Sequence, residues 1–79
     1  MSPIQELFTD KNQCFREICE VRKLIGHREA THTTFEAAIQ TLGFILLYCP
    51  VEILPIVESQ IEETQRRHSF FILHECGLI

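Results

Sequence analysis

The chain has 79 residues, a formal net charge of −4 at pH 7 and 46% hydrophobic residues, with six Phe and no Trp. That length permits one domain, 1–79, burying only about 60–65% of the surface its unfolded chain exposes, while the apolar content excludes a disordered chain. There is more apolar material than one thin core hides, so association with another surface is the first expectation.

The first element predicted is a helix over 3–26. Ser2 is a suitable N-cap, Pro3 suits the first helical position, and Gln5 stands where a capping box needs it. Ile4, Leu7, Lys11, Cys14, Ile18, Val21 and Ile25 then recur at spacings of three and four, flanked by Phe8, Phe15 and Leu24, and Gly26 supplies a stop. The polar Lys11 follows Thr9 and Asp10, so a break or second start near Asp10 is the main rival to one long helix.

A second helix is predicted over 34–48, capped by Thr33 with Glu36 three residues on. Ala38, Leu42, Ile45 and Cys49 mark one face, but Ile39, Phe44, Leu46 and Leu47 leave little of the second half polar, which predicts burial on all sides. Gly43 is expected at a close helix crossing.

Pro50 and Pro55 break the apolar run at 42–57 into a corner, because each lacks an N–H and biases its predecessor away from helix. The third helix is predicted over 55–76, with Val57, Ile61, Thr64, His68 and Phe71 as its seam. Glu62 with Arg66 and Glu63 with Arg67 are favourable i to i+4 pairs. Gly77 can take the left-handed position of a Schellman stop, with Leu78 near Leu73. The fold class read from this pattern is all-α, a three-helix hairpin-like module forming a dimeric helical bundle.

A membrane span is not expected. Spanning takes roughly 20 mostly apolar residues, and the longest stretch without a charge, 37–51, holds Gln40, Thr41 and Gly43 and is followed by Glu52 and Pro55. Met1 to Phe8 contains Glu6 and has no basic start leading into an apolar stretch, so a cytoplasmic protein is expected.

Catalytic chemistry finds no constellation to rest on. Asp10 is the only Asp, Ser2, Ser59 and Ser69 have no glycine-rich elbow, and His68 and Ser69, adjacent on a helix, point about 100° apart. No enzyme, cofactor or metal is expected. The rival metal reading is a zinc or redox module using Cys14, Cys19, His74 and Cys76, but Cys-x4-Cys and His-x-Cys are not the tight spacings of most structural sites. Reduced thiols acting as small buried hydrophobes are the simpler reading.

A nucleic-acid regulator would have to work through Arg16, Arg22, Lys23 and Arg28, since residues 29–65 contain six Glu and no Lys or Arg. A basic stripe is what such binding requires, so no nucleic-acid partner is expected. What remains is a non-enzymatic helical protein that binds another protein, of inhibitor, anti-activator, adaptor or chaperone type, including phage or accessory modulators of host proteins. Phe8, Phe15, Leu24 and Phe70 are the candidate partner-binding residues. Phe44, Leu47, Tyr48, Phe71 and Ile72 are the candidate homodimer interface. His68, on the third seam, is expected to be a core histidine hydrogen-bonded to a neighbour, with a pH-sensitive interface as the sharper alternative.

Overall fold

A computed structural model describes residues 8–79, so the predicted cap at Ser2, Pro3 and Gln5 and the seam positions Ile4 and Leu7 lie outside the described residues. Among the described residues three helices make the fold: α1 Lys11–Gly26, α2 His32–Tyr48 and α3 Leu54–Glu75, with a 3-10 turn Val51–Ile53 between α2 and α3.

The first boundary corrects the prediction of an unbroken helix over 3–26. Phe8 and Thr9 are helical, Asp10 is extended (φ −85°, ψ 116°), and its carboxylate accepts the Asn12 N–H at 3.0 Å. An Asp side chain competes for backbone donors, which disfavours it inside a helix and favours it at an N-cap. α1 then buries Cys14, Ile18, Val21 and Ile25, four positions of the predicted seam, while Lys11 lies in solvent and meets Glu52 at 3.6 Å. That exposed pair adds little stability, but it places the start of α1 beside the start of α3.

Gly26 is the last residue of α1 yet does not stop it by left-handed geometry, because Gly77 alone among the described residues has positive φ. The turn is held instead by His27, whose backbone carbonyl accepts the Ala30 N–H at 3.0 Å and whose Nδ1 accepts the Glu29 N–H at 3.1 Å. α2 begins at His32, two residues before the predicted start. Thr31 caps it, not Thr33: the Thr31 hydroxyl accepts the Thr34 N–H at 3.4 Å and the Thr34 hydroxyl accepts the Thr31 N–H at 3.0 Å. A threonine thus fills the return arm of the capping box usually given to Glu or Gln.

α2 buries Phe35, Ala38, Leu42 and Ile45, and it packs against both other helices. Its second half is not buried all round, since Phe44 and Leu47 are exposed. Gly43 is likewise no close crossing, because a Cβ built there meets nothing within 4 Å.

The corner forms as the prolines dictate. Pro50 is extended (φ −57°, ψ 142°), its carbonyl accepts the Ile53 N–H at 3.1 Å, and Ile53 drops into the core. α3 begins one residue before Pro55, which sits in the first turn where a missing N–H costs nothing. Val57, Gln60 and Thr64 are buried, with Ile61 and Phe71 packed at the margin. The two buried polar residues satisfy each other: the Thr64 hydroxyl donates to the Gln60 carbonyl at 2.7 Å, and the Gln60 amide donates to the Thr64 hydroxyl at 3.4 Å. Of the two predicted ion pairs, Glu63–Arg67 is formed at 3.5 Å.

α3 closes in a Schellman stop. Gly77 has φ 74°, its N–H donates to the His74 carbonyl at 3.0 Å, and the Leu78 N–H donates to the Leu73 carbonyl at 2.9 Å. The helices run up, down and up, so α1 and α3 are parallel, and the molecule measures 45 × 21 × 17 Å. No described helix is long and apolar enough to cross a membrane.

Candidate functional site

Folding sorts the predicted binding residues into two groups. Phe8 is buried: the break at Asp10 turns it onto the core, where its carbonyl accepts the Cys14 thiol at 2.9 Å. Phe15 is half-buried against the same cluster. The expectation of a partly exposed surface residue is corrected for Phe8, which the core takes up, while Phe15 keeps part of its surface open. Leu24, at 55% exposure, and Phe70, at 56%, do remain open.

The proposed dimer residues divide in the same way. Tyr48 and Phe71 pack on the core, Phe71 with its ring tilted against Phe35 at 5.4 Å between centroids. Phe44, Leu47 and Ile72 are exposed, Leu47 at 72%. Phe44 and Leu47 stand three residues apart on the outer face of α2, and Val51 in the corner is exposed as Leu47 is.

A second apolar group lies at the opposite end of the molecule. There Phe70, Ile72, Leu73, Leu78 and Ile79 are all exposed. Leu73 and Leu78 were named from the sequence only as the contact of a Schellman stop, not as surface residues, although that stop ties Leu78 to the end of α3. The hydrophobic contact that often accompanies this stop does not bury Leu78.

The alternative constellations fare differently. Cys14 lies in the core near the start of α1, whereas His74 and Cys76 lie at the end of the parallel α3, so this zinc set is not brought together. Burial pushes the Cys14 thiol up, with Cys49 and Asp10 adding to the effect, and burial pushes Cys49 up as well. Both are therefore held away from the thiolate that metals and redox partners require. Arg16, Arg22, Lys23 and Arg28 are exposed, but acidic groups interleave with them. Lys23 pairs with Glu20 at 3.5 Å, and Arg22 shares a groove between α1 and α3 with Glu63 and Arg67.

One polar arrangement was not legible in the sequence. His68 is hydrogen-bonded as expected but is half-buried at the margin and not a core residue; its partner is His32 of α2, with Nε2 of His68 and Nδ1 of His32 2.7 Å apart. The His68 ring also stacks on Phe35 at 5.2 Å between centroids, 8° from parallel. On its other side, His32 Nε2 meets the Glu36 carboxylate at 2.7 Å. The sequence reading left His32 in the connection before a helix starting at 34, so neither its i to i+4 contact with Glu36 nor its meeting with a residue 36 positions along the chain was read.

No protein-family model, curated protein or solved structure matches this chain.

Proposed function

We propose that this protein is a non-enzymatic helical module that acts by binding another protein through an apolar helical surface, and that it does so as a homodimer in the cytoplasm. The observation that carries the reading is the end of α3, where Phe70 and Leu73, three residues apart on one face of the helix, are exposed together with Leu78, whose N–H is bonded to the Leu73 carbonyl. Exposed apolar groups gathered in one place, unlike scattered ones, are the usual mark of an interaction surface. The four cysteines are free thiols, in keeping with a reducing compartment.

In this reading Phe44 and Leu47 on α2 and Ile72 on α3 form the contact between copies, and Leu24 and Phe70 anchor the foreign partner. An inhibitor, anti-activator, adaptor or chaperone role is consistent with such a surface. Sedimentation at micromolar concentration combined with affinity capture from the native cell tests it. The expected result is a dimer that Leu47→Glu converts to a folded monomer, together with a captured protein that Phe70→Ala releases while the melting temperature and dimer mass hold. A monomer in the unsubstituted protein sinks the dimer; loss of capture only when Arg16, Arg22 and Arg28 are replaced sinks the apolar surface.

A further inference from the structure

The line Glu36, His32, His68 has the chemistry of half a metal site. The Glu36 carboxylate, 2.7 Å from His32 Nε2, fixes the proton on that nitrogen and leaves the lone pair of Nδ1 directed across the interface at His68. A metal-bound histidine characteristically donates its other ring N–H to a carboxylate in this way, which orients the ring and raises its basicity. His68 is in turn stacked on Phe35 and presents Nε2 to His32 Nδ1. Among the described residues no three His, Cys, Asp or Glu side chains converge on one position. The protein therefore supplies two nitrogens, and water completes the shell.

We propose that His32 Nδ1 and His68 Nε2 form a binding site for a divalent tetragonal metal, the class of Ni²⁺ and Cu²⁺, with Glu36 as its outer carboxylate. The donor set points to the class: imidazole nitrogens with the remaining positions left to water suit tetragonal Ni²⁺ and Cu²⁺. With metal–nitrogen bonds of about 2.0–2.1 Å, two imidazoles at a right angle place their nitrogens roughly 2.9 Å apart, and at a tetrahedral angle roughly 3.3 Å. The observed 2.7 Å is a hydrogen-bond contact, so binding breaks the His32–His68 bond, parts the rings slightly and turns each nitrogen lone pair off the line between them toward the metal. The His32 side chain is 56% exposed, so it has room to turn and water has access to the open positions. On binding, the His68 proton moves through solvent from Nε2 to Nδ1, so neutral His68 loses no net proton.

The two ligands belong to different helices, so the unfolded chain does not hold them together and the metal stabilises the folded state. Thermal unfolding and calorimetric titration with Ni²⁺ at neutral pH test the site, using the unsubstituted chain and a Cys19→Ser/Cys76→Ser variant that removes the exposed thiols. Expected are one Ni²⁺ per chain and a raised melting temperature in both proteins. His32→Ala and His68→Ala should each abolish both effects, and Glu36→Gln should weaken binding about tenfold or more. His68→Gln, which keeps a polar group at the same depth, gives the same loss should His68→Ala fail to fold. Absence of a melting shift at millimolar Ni²⁺, persistence of binding in His68→Gln, or loss of binding in the double cysteine variant overturns the proposal.

Discussion

The Cys14 thiol donates a hydrogen bond to the Phe8 carbonyl at 2.9 Å from a fully buried position, joining the helical segment before Asp10 to the first turn of α1. Ionisation removes the donor and places a charge in the core. Burial raises the pKa of this thiol in the folded chain above the unfolded value of about 8.5, and it does the same for Cys49. The folded state thus binds more protons at alkaline pH, so their stabilising contribution is complete below the unfolded value and is lost as pH rises through the folded one. Urea unfolding from pH 7 to pH 10.5 should show a falling midpoint above about pH 8.5, and Cys14→Ala should flatten that fall. A midpoint equally steep in the variant would assign the effect elsewhere.

Leu42 and Ile45 are fully buried in the middle of α2, whereas Leu47 on the same helix is open. Leu42→Ala and Ile45→Ala should each destabilise the fold by about 2–5 kcal/mol through lost burial and residual cavity. Leu47→Ala should stay within about 0.5 kcal/mol in the monomer. Chemical denaturation of the three variants at low protein concentration makes the comparison.

The two glycines at Gly43 and Gly77 should respond oppositely to alanine. Gly43 lies inside α2 with nothing to obstruct a Cβ, so Gly43→Ala should stabilise the chain by about 0.5–1 kcal/mol through helix propensity and lost unfolded-state freedom. Gly77 has φ 74°, a conformation that costs a side chain about 1–2 kcal/mol, so Gly77→Ala should destabilise. Thermal melts of both variants should shift in opposite directions.

Capping offers a sharper discrimination. Thr31→Ala removes the side chain that caps α2 and should cost about 1 kcal/mol, while Thr33→Ala, whose side chain makes neither capping bond, should be close to neutral. Equal effects at the two positions would contradict the boundary at His32. At the other helix start, Pro55→Ala should change stability by less than about 1 kcal/mol, because its ring fits the first turn of α3 without replacing a needed donor.

The helix count and most of the seams were legible because apolar spacing, prolines and Gly77 act locally. Cys14, Ile18, Val21 and Ile25 on α1 are buried as their spacing predicts, and the corner falls within one residue of Pro55. The misplaced start of α2 has a local cause too: Thr34 closes the capping box, and a search for Glu or Gln three residues after the cap picks Thr33 instead. The surface was less legible. Exposure depends on which flank of a helix a third element covers, so Phe8 and Leu24, alike beside one seam in the sequence, end on opposite sides of the core boundary. The pairing of His32 with His68 needed the antiparallel register of α2 and α3, which no spacing rule supplies.

That register also governs how fast the chain reaches its native state. Each helix packs on its neighbour in sequence across a short turn, and the contact of α1 with α3 is smaller than that of either with α2. Contacts so close along the chain cost little loop entropy before they form, which places helical folds of this kind among the microsecond-to-millisecond folders. A stopped-flow refolding trace should therefore lose most of its amplitude in the dead time. Any slower phase that grows with protein concentration would report the encounter of two already folded chains.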